Sequence, residues 1–165
     1  MNILTLKYNL DWRVVKPLAE KLVNIPTQDM LEVNASTSYL NPLQKLNKLP
    51  ELKEYFDFIT TKVQDFVGKD KTIMIERAWF SKYDKDGHIV PHTHPSSTAV
   101  ACLYIEFPSN AGNLEFKVFD MWQELKISQG DLVIFPAHMM HRSQPNKSGK
   151  ERWTLTTNFT KKRLI

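Results

Sequence analysis

The chain has one cysteine, Cys102, no large block of like charge and no long apolar run, and each shortage removes a class of protein. A single cysteine cannot form an internal disulfide, which excludes a disulfide-stapled scaffold and sets the expectation of a reducing, cytoplasmic location. No window approaches the roughly 18 uninterrupted apolar residues that a membrane span needs, so no membrane partner is expected. Met1 to Leu10 carries Lys7 and Asn9 and lacks the apolar core of a signal peptide. The net charge is +4 and the pI about 9.1, yet the only basic cluster is Lys161-Lys162-Arg163, so nucleic-acid binding is not indicated. Internal repeats, low-complexity segments and linkers are also missing. One domain over residues 1–165 is expected, with 1–70 as helical N-terminal support and 71–165 as a β-rich core.

What is present divides near Gly68. Before it, Asn2 to Tyr8 reads as a short strand. Trp12, Val15, Leu18, Ala19 and Leu22 recur at helical spacing after Asp11, and Asn24 and Pro26 close that helix. Thr27 to Pro50 is polar and punctuated by proline, and reads as irregular. Glu51 to Val67 carries an apolar stripe (Leu52, Tyr55, Phe56, Ile59, Val63, Phe66, Val67) between Pro50 and Gly68, the residues expected at a helix start and end. After Gly68 the chain turns β-rich. Thr72 to Tyr83, Val100 to Phe107, Leu114 to Phe119, Leu132 to Phe135 and Trp153 to Phe159 read as strands. Turn signals at Asp86-Gly87, Pro108-Ser109-Asn110, Gly112-Asn113, Gly130-Asp131, Pro145-Asn146 and Ser148-Gly149 separate them. The pattern predicts a mainly β fold with N-terminal helices (α+β), built on a sandwich or jelly roll.

Chemistry concentrates in Gly87-His88-Ile89-Val90-Pro91-His92-Thr93-His94-Pro95, where three of the five histidines fall within seven residues. Neutral imidazole is the commonest metal-ligand side chain. Residues at i and i+2 of a strand share a face, so His92 and His94 can aim at one ion, and His141 can complete the site from a second strand. Asp84, Asp86 and His88 are alternative third ligands, with His88 nearer a pocket mouth. Trp79 and Phe80 could line a pocket or belong to the core, and Met139 and Met140 read as packing.

From Thr72 to Thr160 the chain resembles the iron(II)- and 2-oxoglutarate-dependent oxygenases, in the branch of small prolyl-hydroxylase-like enzymes. The resemblance rests on His92-Thr93-His94, on Ala101-Cys102-Leu103-Tyr104-Ile105, on Gly130-Asp131-Leu132-Val133-Ile134-Phe135-Pro136, and on His141 followed by Arg152-Trp153-Thr154. It implies a double-stranded β-helix as the oxygenase core over 71–165. His92, His94 and His141 become the catalytic metal ligands for Fe(II), with dioxygen and 2-oxoglutarate as cosubstrates. A facial triad leaves open positions for them. Arg152 is implied for the far carboxylate of 2-oxoglutarate, with Thr154 and Tyr104 adding hydrogen bonds. The implied reaction hydroxylates a C–H bond of a protein prolyl residue or of a small molecule and releases succinate and carbon dioxide. One departure stands out: His94 occupies the position where the family places a carboxylate. A non-enzymatic jelly-roll module that binds a small ligand, and a cupin-like metal enzyme without 2-oxoglutarate, are the alternatives; Arg152 discriminates, since neither requires it.

Overall fold

The computed structural model describes residues 2–23, 31–41 and 45–162. Its centre is a six-stranded antiparallel sheet, and four of its strands explain the whole arrangement. These are β3 (Ile73–Ile89), β4 (Ala99–Glu106), β7 (Asp131–Pro136) and β9 (Arg152–Lys161). Short edge strands β1 (Leu4–Lys7) and β2 (Glu32–Thr37) complete the order β1-β7-β4-β9-β3-β2. A second sheet of β5 (Leu114–Val118), β6 (Met121–Leu125) and β8 (His141–Ser143) runs in the order β6-β5-β8.

Alternation along each strand sends side chains to two different cores. Ala99, Ala101, Leu103 and Ile105 of β4, Leu132 and Ile134 of β7, and Trp153, Leu155 and Phe159 of β9 face one way. There they pack with Val15 and Ala19 of α1 (Trp12–Leu22) and with Tyr55, Phe56, Ile59 and Val63 of α2 (Lys53–Val67). Val100 and Tyr104 of β4 and Val133 and Phe135 of β7 face the other way, against Leu114 and Phe116 of β5. A strand covered on both faces reads as an unbroken apolar run, which is why Val100 to Phe107 and Leu132 to Phe135 lacked visible alternation. The expected jelly-roll architecture is therefore found, with the helices on the outer face of the large sheet and the small sheet on its inner face.

The helices follow their sequence signals. Asp11 precedes α1, and its backbone carbonyl, not its side chain, accepts from Val14 and Val15. The predicted stop at Asn24 and Pro26 lies outside the described residues. A single 3₁₀ turn from Pro50 to Leu52 leads into α2, and Gly68 ends it at φ +94°, a conformation that glycine adopts without a Cβ penalty. No described helix is long and apolar enough to cross a membrane.

Two readings need correction. The stretch Thr27 to Pro50 is not wholly irregular, because Glu32–Thr37 forms the edge strand β2 against β3. Its apolar alternation is weak, and pairing with a long neighbour supplies what local propensity does not. Asp86-Gly87 is not a turn between strands. It lies inside β3, with Asp86 at φ +62°, the Asp86 N–H donating to the Asn146 carbonyl and the Asn146 N–H donating to the Gly87 carbonyl. A side chain on Gly87 would meet the Asn34 carbonyl oxygen at 2.6 Å, so only glycine allows β2 to lie this close.

Candidate active site

The site opens on the inner face of the large sheet, at the end where β8 meets the segment between β3 and β4. His92 pairs with His141 through a reciprocal backbone bridge: the His92 N–H donates to the His141 carbonyl at 3.0 Å, and the His141 N–H donates back at 3.1 Å. His94 lies just beyond that bridge, where its N–H donates to the Ala137 carbonyl at 2.9 Å. The expectation that His92 and His94 share one regular strand is not met: β3 ends at Ile89, His92 makes only the isolated bridge to His141, and a turn closed by the Ser97 N–H on the His94 carbonyl follows. The three rings nonetheless converge. Centroids are separated by 4.2 Å for His92–His141, 4.9 Å for His92–His94 and 5.2 Å for His94–His141. One ring nitrogen from each lies within 4.8 Å of the others.

The hydrogen bonds set the tautomers. Nδ1 of His92 lies 2.9 Å from the Val90 carbonyl, and Nδ1 of His141 lies 2.9 Å from the Met139 carbonyl. A carbonyl only accepts, so each Nδ1 carries the proton and each Nε2 carries a lone pair. Nε2 of His94 is buried and has no hydrogen-bond partner. Burial, with His92 beside it, pushes the pKa of His94 down to about 4. The same two causes hold His141 well below the ordinary histidine value. Both rings are therefore neutral near pH 7, as metal ligation requires. Converging neutral imidazoles with an orphaned buried nitrogen fit a divalent transition metal such as Fe(II), and a cation would satisfy Nε2 of His94.

The alternative ligands are engaged elsewhere. Asp84 pairs with Lys82, Asp86 pairs with Lys147, and Nδ1 of His88 lies on the Asp86 carbonyl. Asp131 accepts from the Ser128 N–H and pairs with Lys7, a structural role at the start of β7.

A cavity leads from the histidines along the inner face of β9. It is lined by Tyr104, Thr154, Thr156, Cys102, Ser143 and Arg152, among others. Arg152, Thr154 and Thr156 are spaced by two and share the face of β9 opposite Trp153 and Leu155. Arg152 is 1% exposed. Its Nη1 donates to the carbonyls of Ala111 (2.6 Å), Gly112 (3.1 Å) and Gln144 (3.2 Å), and its Nη2 donates to Ser143 Oγ at 2.9 Å. The guanidinium also lies over the Tyr83 ring, 4.2 Å from its centroid. Nε is buried without a partner and is the donor left for a ligand. Burial raises the Tyr104 phenol well above its ordinary pKa, which keeps it a neutral hydroxyl. Of the two aromatics that the sequence reads more readily as core, Trp79 lines the cavity, whereas Phe80 belongs to the helix-side core.

Two contributors were missed in the sequence. Ser143 lies two residues after His141 on β8, and that spacing was the available signal. Glu32 accepts from Ser81 Oγ at 3.0 Å and from Tyr83 Oη at 3.2 Å, and it lines the cavity from β2. It sits in the stretch read as irregular and gave no signal.

The fold defines the class first. Among solved structures, a prolyl-4-hydroxylase from Pseudomonas putida is similar over 98% of this chain and 93% of its own, at 16% identity and a TM-score of 0.69. A viral collagen prolyl hydroxylase from Paramecium Bursaria Chlorella virus-1, in complex with 2-oxoglutarate, is similar over 96% of both chains, at 15% identity and a TM-score of 0.66. HygX from Streptomyces hygroscopicus, with nickel and 2-oxoglutarate bound, is similar over 96% of this chain and 82% of its own, at 11% identity and a TM-score of 0.71. The fold is thus that of the 2-oxoglutarate and iron(II) oxygenases, as the resemblance implied. A comparison with curated proteins gave no significant match. The sequence itself matches the phytanoyl-CoA dioxygenase family over residues 88–154, the segment that carries His92, His94, His141 and Arg152. The family match and the fold together are those of a 2-oxoglutarate-dependent dioxygenase.

Proposed function

We propose that this chain is an Fe(II)- and 2-oxoglutarate-dependent dioxygenase that hydroxylates a C–H bond of a prolyl residue or a small molecule, releasing succinate and carbon dioxide. The observation that carries the reading is the convergence of His92, His94 and His141 on one point, with Nε2 of His94 buried and unpartnered. When bound, the metal and the 2-oxo acid supply the oxidising chemistry. The chain's residues supply position and exclusion of water. Carbonyl oxygens of Val90 and Met139 orient His92 and His141. Nε of Arg152 offers a charge-assisted bond to a carboxylate, and the hydroxyls of Thr154 and Tyr104 lie in the same cavity. Val100, Phe135 and Leu114 supply apolar walls.

A second reading, a metal enzyme of this fold that takes no 2-oxoglutarate, is favoured by one observation: Nη1 of Arg152 is already committed to three backbone carbonyls. Turnover separates the two. Metal-dependent conversion of 2-oxoglutarate to succinate, followed with a substrate panel and abolished by His141→Ala, is expected. Metal binding without any turnover or binding of 2-oxoglutarate would favour the second reading.

A further inference from the structure

The inner face of β9 does not end at the histidines. Arg152, Thr154, Thr156 and Asn158 follow at intervals of two, and Asn158 lies opposite Val100 on β4 and Arg77 on β3. Arg152, Thr154 and Thr156 line the first cavity; Asn158 lines a second, of about 180 Å³, on the far side of the ligand cluster. His92, His94, Trp79, Glu32 and Ile89 border both, so the two chambers meet at the metal-binding histidines.

The second chamber has an apolar wall and, away from the ligand cluster, an unmet polar group in Asn158. Leu31, Tyr39, Leu40, Trp79 and Ile89 supply the wall. Tyr39 and Trp79 meet edge to face with centroids 4.9 Å apart. Asn158 is 8% exposed, and its Oδ1 is buried with no hydrogen-bond partner. A buried acceptor without a donor is costly, and an occupant that brings an N–H would relieve it. A carboxamide carries a donor beside its acceptor. The group that satisfies both ends at once is another amide with its N–H and C=O side by side. That complement is the same whichever way the Asn158 amide is turned.

Reach separates the two chambers. At about 3.3 Å per residue, six residues of strand put the Arg152 and Asn158 backbones roughly 20 Å apart. A five-carbon diacid anchored at Arg152 is much shorter than that, so it leaves the Asn158 chamber open. The volume is below the roughly 300–1,000 Å³ of pockets for drug-sized ligands and suits a body the size of an amino-acid side chain.

We infer that this chamber holds the primary substrate, a compact apolar or ring-shaped body bearing an amide, and that Asn158 is the specificity-determining residue that pairs with that amide. The inference rests on the oxygenase reading for the direction of the reaction, while the binding it describes can be measured without turnover.

The test uses the full chain, loaded with zinc and 2-oxoglutarate, and two probes followed by ¹⁵N NMR. The first, 2-pyrrolidinone, presents N–H beside C=O in a small ring. The second, N-methyl-2-pyrrolidinone, keeps the ring and the carbonyl and lacks the N–H. The lactam should shift the Asn158 side-chain amide and the Trp79 indole, and should bind roughly three- to tenfold more tightly than its methylated form. Asn158→Ala and Asn158→Leu should bring that ratio close to one, while shifts at Thr154 on adding 2-oxoglutarate persist. Equal binding of the two probes to the unmodified chain, or no lactam binding at all, overturns the inference without recourse to any variant. Absence of shifts on adding 2-oxoglutarate would instead count against the oxygenase reading, and leaves the lactam preference to be judged by its own ratio.

Discussion

Arg152 is asked to do two things, and replacing it should separate them. Its side chain is buried, and Nη1 serves the carbonyls of Ala111, Gly112 and Gln144 while Nη2 serves Ser143. Arg152→Ala removes all of these donors. The bonds to the Ala111 carbonyl and Ser143 Oγ are fully buried, and those to Gly112 and Gln144 are partly so. A buried acceptor left unsatisfied costs about 1–3 kcal/mol, and the part-buried ones cost less because water can reach them. Adding the space left by a large side chain gives about 3–5 kcal/mol. At about 2–4 °C per kcal/mol for a chain of this size, Tm should fall by roughly 6–20 °C. Arg152→Lys keeps the charge and part of the carbonyl satisfaction, so it should be the milder variant in stability. It lacks the planar fork and the Nε–H, so it should still lose 2-oxoglutarate. The assay is urea unfolding with Mn(II) alone and with Mn(II) plus 2-oxoglutarate. At a ligand concentration 100-fold above Kd the unmodified chain should gain about 2.7 kcal/mol from 2-oxoglutarate. Arg152→Lys should gain little. A lysine variant that keeps the full gain would remove Arg152 from the cosubstrate site. An alanine variant within about 1 kcal/mol of the unmodified chain would show that its carbonyl contacts contribute little.

The remaining expectations can be checked with purified variants. His94→Ala should lose much of the metal affinity and His94→Asp should retain it, measured by calorimetry; equal affinity in the alanine variant and the unmodified chain would remove His94 from the site. Gly112→Ala should destabilise by more than about 1 kcal/mol and also weaken 2-oxoglutarate binding, because Gly112 has φ +87° and an added Cβ would lie 2.2 Å from the Gln144 carbonyl oxygen that Arg152 uses. A thermal melt as stable as the unmodified chain would contradict this. The metal-free protein should lose stability as pH falls from about 6.5 toward 4. His94 is held near 4 and His141 well below the ordinary histidine value, so the unfolded chain takes up protons that the folded chain refuses. Unfolding midpoints in denaturant that stay level across that range would show that these rings titrate normally.

The parts of the fold that were legible in the sequence are those where one physical cause dominates. The stripe of α2 and the runs of β4 and β7 announce themselves because burial alone decides them. Three strands were not delimited in the sequence, for separate reasons. β2 is an edge strand held by its partner β3. β6 follows β5 through a two-residue turn, Phe119 at φ +47° and Asp120 at φ +64°, a left-handed pair usually signalled by asparagine and glycine. β8, expected only as the second strand that carries His141, is three residues long and has no apolar residue to mark its bounds. The site was legible where chemistry is unusual, in His92, His94, His141 and Arg152, all of which line one cavity. What the sequence could not show is that Arg152 spends most of its donors on backbone carbonyls. Nor could it show that Asn158 closes the row begun by Arg152. Both facts depend on which loops the tertiary fold brings against β9.

The central claim is that His92, His94 and His141 hold a metal in the same cavity where Arg152 receives a 2-oxo acid. Anaerobic titration of Fe(II) into the full chain, with 2-oxoglutarate present and absent, tests it most directly, because chelation of Fe(II) by a 2-oxo acid produces a visible charge-transfer absorption. The account predicts that the band appears only when both are added, saturates at one iron per chain, and is lost in His141→Ala. A chain that binds Fe(II) through these histidines and shows no such band at saturating 2-oxoglutarate would contradict it.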